Sequence, residues 1–178
     1  MKKIVGITGG IGSGKSVIGK MLTTMGYPVY YSDQSAKELM VSDGVIIKEF
    51  NQLFDNKAYD EGKLNRTYLA QQIFSNPELK NKVNQIVHPR VRAHFKEFVE
   101  QQNNPLVFNE AAILFETGGD KNFDAIILVV ADEDVRIERV MNRDGVAKEE
   151  VLNRINNQWS DEKKKKLSEL RIKNGKSK

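Results

Sequence analysis

One run near the amino terminus concentrates residue types that can do chemistry: Gly9-Gly10-Ile11-Gly12-Ser13-Gly14-Lys15-Ser16. It fits the pattern G-x-x-x-x-G-K-[ST], and each residue type in that pattern has a physical reason. Glycines let successive backbone N–H groups turn inward and form a nest for an anion. A helix starting near Lys15 would aim the positive end of its dipole at the same anion. In that cradle Gly10, Ile11, Gly12, Ser13 and Gly14 offer backbone. Lys15 reaches the β- and γ-phosphates of a nucleotide, the Ser16 hydroxyl ligates Mg²⁺, and the Val17 N–H contacts the α-phosphate. The dinucleotide fingerprint G-x-G-x-x-G does not fit. Lys15 follows Gly10-x-Gly12, and Val17 follows Gly12-x-Gly14, where the third glycine should stand.

The elements around the run are the ones it needs. Residues 3–8 are rich in Ile and Val and read as a buried parallel strand. From residue 15, Val17, Ile18, Met21, Leu22 and Met25 recur at helical spacing, and Gly26 is placed to end the helix. Residues 28–31 read as a second short strand. Apolar residues at helical spacing then continue to about residue 102, with Asn76-Pro77 and His88-Pro89 as expected boundaries. Strands resume at 106–108 and 125–131, followed by helices at 133–142 and 148–158 and a short strand at 170–172.

Strands alternating with helices predict an α/β fold with a parallel sheet and right-handed crossovers. A helical stretch from about 34 to 102 is too long for one crossover and reads as an inserted subdomain. Ligands of such sheets bind at the carboxyl ends of the strands, where Thr8, Tyr31, Glu110 and Asp132 fall.

The bulk properties narrow the class. The chain has 178 residues, 28 basic and 24 acidic, and a net charge of +4. A mild positive balance suits an anionic substrate, although so small an excess also has a bland reading. There is no cysteine, which excludes disulfides, thiolate metal sites and a cysteine nucleophile. The Lys163–Lys166 run follows Asp161-Glu162 and reads as a solvated helix face rather than a nucleic-acid patch. The apolar run after Met1 is too short for a secretory signal, and no segment is long enough for a membrane span. A cytoplasmic protein is expected, with no nucleic-acid, membrane or obligatory protein partner.

Among phosphate-loop proteins, a switch GTPase is disfavoured. No glycine has an aspartate three positions before it, and no Asn-Lys is followed by aspartate at the required spacing. Shortness, arginine-bearing carboxyl-terminal helices and an acid after the second strand point to a small-molecule kinase.

At this level the chain resembles the dephospho-coenzyme A kinase family over nearly its whole length. The family's TGGIGSGKS stands at residues 8–16. Its Asp-x-Asp segment is met by Tyr31-Ser32-Asp33-Gln34-Ser35-Ala36-Lys37, which keeps the second aspartate. Leu64-Asn65-Arg66, His88-Pro89-Arg90-Val91-Arg92 and Glu110-Ala111-Ala112-Ile113-Leu114-Phe115-Glu116 follow in family order, the last with Ala112 in place of proline. Arg139 and Arg143 match an Arg-x-x-x-Arg-Asp, Gln158 a late glutamine and Asn174 an asparagine after the last strand. The family pattern continues with a further helix beyond that point.

The resemblance implies a P-loop NTPase fold with a parallel five-stranded sheet. The core would span about 1–33 and 104–178, with a helical acceptor-binding insert at about 34–103 and a lid at about 139–158. It implies ATP and Mg²⁺ as cofactors, and phosphoryl transfer to the ribose 3′-hydroxyl of dephospho-coenzyme A. Asp33 becomes the general base, or a helix N-cap, or both. Lys15, Arg139 and Arg143 neutralise charge; the two arginines lie four apart and can converge, or form an ordinary solvated pair. Glu110 holds the Mg²⁺ hydration shell or is a structural acid. His88 binds the acceptor or caps the turn before Pro89. Arg92, Leu114, Phe115 and Glu116 fall on the acceptor side, and Asn174 on the nucleotide side. Two rivals stay open: a related nucleotide kinase with another acceptor, and a non-catalytic nucleotide-binding module.

Overall fold

The structure is a computed structural model that describes residues 2–74 and 76–175. It contains β1 (Lys3–Thr8), α1 (Lys15–Thr24) and β2 (Val29–Tyr31), then α2 (Ser32–Ser42), α3 (Gly44–Leu53), β3 (Tyr59–Asp60), β4 (Lys63–Leu64), α4 (Arg66–Phe74) and α5 (Pro77–Gln101). After these come β5 (Leu106–Glu110), β6 (Ala125–Val130), α6 (Glu133–Asp144), α7 (Lys148–Asn156), α8 (Asp161–Lys165) and β7 (Leu170–Lys173). The chain forms two compact units, one of residues 1–31 and 102–178 and the other of residues 32–101. No helix among the described residues is long and apolar enough to cross a membrane.

The first unit is built on a five-stranded sheet in the order β2-β5-β1-β6-β7. All four pairings are parallel, as the sequence pattern predicts. β1 is central because its residues can be buried on both faces: Ile7 and Thr8 are fully enclosed. The chain leaves β1 to one side for β2 and returns to its other side with β6, so the strand order switches there. Such a switch point opens a crevice beyond the carboxyl ends of the strands. The register sets Glu110, the last residue of β5, beside Ile7 of β1 and Tyr31 of β2. Gly26, at φ +87°, closes α1: its N–H and that of Tyr27 bond the carbonyls of Thr23 and Leu22.

The second unit packs Ile46, Phe50, Phe54, Ala58, Leu69 and Val87 into a core of its own. Asp43 caps α3, its carboxylate accepting from the N–H groups of Val45 and Ile46. Arg90 Nε donates to the same carboxylate at 2.8 Å. Burial raises the Asp43 pKa, but Arg90 and the two capping N–H groups outweigh it and hold the group below its ordinary value.

Two expectations for this unit are corrected. The stretch is not helical throughout, because β3 and β4 pair as an antiparallel hairpin. Its two loop residues, Glu61 and Gly62, both have positive φ (46° and 77°), as a tight two-residue hairpin demands. His88-Pro89 is also not a boundary, since α5 runs through Pro89 unbroken. Proline removes one backbone donor, yet Val83, Ile86, Val87 and Val91 on both sides of it pack against the same core. Asn76-Pro77 does bound two helices, the Asn76 side chain accepting from the N–H of Leu79 at 3.0 Å.

Candidate active site

The loop from β1 into α1 takes its shape from positive φ at Gly12 (77°) and Gly14 (93°), a conformation L side chains rarely adopt. Space reinforces this at Gly14, where a Cβ would lie 2.0 Å from Asn174 Nδ2. Ser13 N–H turns back to the Gly10 carbonyl at 3.1 Å, and Val17 N–H starts the helix on the Gly14 carbonyl at 2.9 Å. Lys15, Ser16 and Val17 therefore form the first turn of α1, as the sequence pattern requires, with Ser16 and Val17 exposed.

Lys15 Nζ lies 3.6 Å from Glu110 Oε1. The structure thus brings together two residues expected separately, one to bind phosphate and one near Mg²⁺. Thr8 Oγ1 donates to the Ala112 carbonyl at 3.4 Å, tying the end of β1 to the turn after β5.

The carboxyl-terminal segment also closes on the loop. Asn174 Nδ2 donates to the Ser13 carbonyl at 3.0 Å. Arg139 Nη1 donates to the carbonyls of Gly12 (3.4 Å) and Asn174 (3.2 Å), and its Nη2 to that of Gly175 (3.3 Å). Arg143 does not join it. Its Nε is 2.6 Å from Asp144 Oδ1, and its side chain is 64% exposed. Asp144 also receives Arg154, and the two arginines take its pKa down to about 2. The spacing alone allowed convergence of Arg139 and Arg143, but each guanidinium is committed to different oxygens.

In the second unit Asp33 is exposed in the first turn of α2, which begins at Ser32, so it is not the N-cap. A carboxylate in a first turn is still favoured by the helix dipole. His88 and Arg92 are one turn apart on α5. Burial, and then the charge of Arg92, lower the His88 pKa from its usual value. His88 caps no turn, because the helix continues past it.

Leu114 and Phe115 are each 3% exposed and pack in a core cluster with Ile126. Their side chains are structural here rather than a wall for an acceptor. Glu116 is likewise committed, with Oε1 accepting the Trp159 N–H at 3.0 Å and Lys164 Nζ at 2.8 Å. Lys164 is fully buried, which corrects the solvated reading of the lysine run at that residue. Lys163, by contrast, sits 3.1 Å over the Trp159 ring.

Sequence reasoning also passed over Arg136, 6% exposed, whose Nε donates to the Ile11 carbonyl at 2.9 Å. A signal existed: Arg136, Arg139 and Arg143 follow an i, i+3, i+7 spacing, so the stripe begins one turn earlier than the pair suggested.

The family profile for dephospho-CoA kinase matches residues 3–178. A curated dephospho-CoA kinase from Bacteroides fragilis is 42% identical over 161 residues, 90% of this chain and 78% of that protein. One from Chlorobaculum tepidum is 40% identical over 168 residues, 90% of this chain and 80% of that protein. A crystal structure from Thermus thermophilus matches with a TM-score of 0.89 at 37% identity, covering 99% of this chain and 90% of that one. The dephospho-CoA kinase of Campylobacter jejuni matches at 0.71 and 26%, with the same coverage. A shikimate kinase from Bacteroides thetaiotaomicron, at 0.51 and 13%, shares the fold alone. A phosphate loop at the switch point of a parallel sheet fixes only the kind of nucleotide site. With a profile spanning residues 3–178, the chain belongs to the dephospho-CoA kinase family, the kinases of the final step of coenzyme A biosynthesis.

Proposed function

We propose that the protein transfers the γ-phosphoryl group of ATP to the ribose 3′-hydroxyl of dephospho-CoA, giving CoA and ADP in the cytoplasm. The observation that carries this reading is the Gly9–Ser16 cradle, with Lys15 in the first turn of α1, in a chain whose relatives bear that name. The bond from the 3′-oxygen to phosphorus forms as the bond from phosphorus to the ADP oxygen breaks. Asp33 receives the hydroxyl proton. Such a transfer depends on positioning and charge neutralisation.

Lys15 offsets charge on the β- and γ-phosphates, and Arg139, which reaches the loop at the Gly12 carbonyl, acts on the same charge. Asn174 supports the nucleotide side. His88 and Arg92 hold the acceptor. The Ser16 hydroxyl and the Glu110 carboxylate are hard oxygen donors near Lys15, and they suit Mg²⁺. Mg²⁺ would supply Lewis-acid neutralisation of the phosphate oxygens when bound.

The test is ADP release from Mg·ATP with dephospho-CoA, AMP, CMP or no acceptor in parallel. Release stimulated only by dephospho-CoA is expected. Stimulation by a mononucleotide would replace the acceptor, and no stimulation at all would favour a binding module.

A further inference from the structure

Beside the phosphate loop lies a buried side chain that no catalytic role accounts for. Arg136 lies on α6 one turn before Arg139, and its guanidinium fills the space beside Gly10. A Cβ at that glycine would stand 2.2 Å from Arg136 Nη2. Nε of Arg136 holds the Ile11 carbonyl at 2.9 Å, and Nη1 lies 3.4 Å from Asp161 Oδ2 at the start of α8. The side chains of this ion pair are only 8% and 19% exposed. The Ile11 N–H is held as well, by Gln158 Oε1 at 2.8 Å. Both polar groups of one loop residue are thus fixed by side chains from the segment around α6 to α8.

The direction of the hold matters. The described chain has no cis peptide, so the Ile11 carbonyl and the Gly12 N–H belong to one trans unit and point opposite ways. Pulling the carbonyl towards Arg136 turns the Gly12 N–H away from it. Asn174 does the same for the next alternate unit, since its hold on the Ser13 carbonyl turns the Gly14 N–H away from Asn174. Donors of this kind cradle phosphates in such loops.

We infer that Arg136, braced by Asp161, is a positioning residue for phosphate binding: it acts through the Ile11 peptide to set the Gly12 N–H before nucleotide arrives. This rests on the nucleotide site proposed above and on nothing about the acceptor. Pre-orientation spares the loop an ordering cost on binding, so its loss appears as weaker affinity.

The test is calorimetric binding of ADP to wild type, Arg136→Lys, Arg136→Met and the double variant Arg136→Met/Asp161→Leu. Lysine keeps the charge but has one donor centre and cannot serve Ile11 and Asp161 as the guanidinium fork does. The double variant removes both buried charges together, a change proteins often tolerate, and so provides a folded test protein if Arg136→Met alone does not fold. All three variants should bind ADP about tenfold more weakly or worse, the usual scale for losing a charged hydrogen bond. The KM for ATP should rise with it while the KM for dephospho-CoA stays within about twofold, a split that general loosening would not give. ADP affinity of Arg136→Lys or of the double variant equal to wild type would overturn the inference, as would an equal rise in both KM values. ADP binding is read without any acceptor, so a wrong acceptor would show in turnover alone and leave this result standing.

Discussion

Lys15 Nζ lies 3.6 Å from Glu110 Oε1, with both side chains largely out of solvent (13% and 6% exposed). The pair follows from register: β5 runs beside β1 until Glu110 stands opposite Ile7, two residues before the loop begins. A carboxylate there can steady the lysine and also receive a hydrated cation. Glu110→Gln should therefore raise the Mg²⁺ concentration for half-maximal rate by about tenfold, the lower end of what outer-sphere ligands contribute. Rate measured against Mg²⁺ at saturating ATP decides the matter. An unchanged Mg²⁺ curve with a lowered thermal midpoint would make Glu110 a structural acid only.

Asp33 can be tested cleanly because it is exposed in the first turn of α2 and packs no core. Asp33→Asn should keep the fold, forfeiting at most the few tenths of a kcal/mol, up to about 1, that a first-turn charge gains from the helix dipole. Turnover should fall by about a hundredfold or more, the range for a general base. ADP affinity should not change. Near-normal turnover would remove Asp33 from the mechanism.

How far these residues were legible depended on distance along the chain. The loop, its strand and its helix are neighbours, so Gly9 to Ser16 and the Gly26 stop could be read directly, and the apolar runs gave the sheet. The β3–β4 hairpin has two residues per strand, too few for any alternation to show. Proline at 89 reads as a break because local rules see the lost N–H and not the core that α5 packs against. Tyr31 stands where the family pattern has aspartate. Its use emerges only in the fold, where its ring packs on Gly19 and its hydroxyl lies 3.2 Å from Thr23 Oγ1. Arg136 was missed for the same reason: its partners, Ile11 and Asp161, are brought to it by the sheet.

His88 predicts a pH dependence. Its folded pKa is lowered from 6.5, first by burial and then by Arg92, so the unfolded chain binds the proton more readily. Stability is therefore full above about pH 6.5 and falls as pH drops from there through the folded value. Urea midpoints of wild type should decline between about pH 7.5 and 5 more steeply than those of His88→Gln, which cannot titrate. Arg92→Ala should flatten the wild-type slope in part by removing the second cause. Identical slopes in wild type and His88→Gln would show that the imidazole does not titrate differently on unfolding.

Lys164 gives the sharpest stability prediction. It is fully buried, with Nζ 2.8 Å from Glu116 Oε1 and 3.4 Å from the Ala112 carbonyl. Glu116 Oε2 has no hydrogen-bond partner among the described residues, so the carboxylate depends on this lysine and on the Trp159 N–H. Lys164→Met leaves that charge buried without a counter-charge and should cost about 3–5 kcal/mol. Adding Glu116→Gln removes the charge but keeps an oxygen for the Trp159 N–H, and should restore most of the loss. The pair is a double-mutant cycle read by urea unfolding. Additive losses would mean that Lys164 and Glu116 act separately, the lysine through the Ala112 carbonyl and the glutamate through Trp159. Strong non-additivity would assign the cost to the stranded carboxylate.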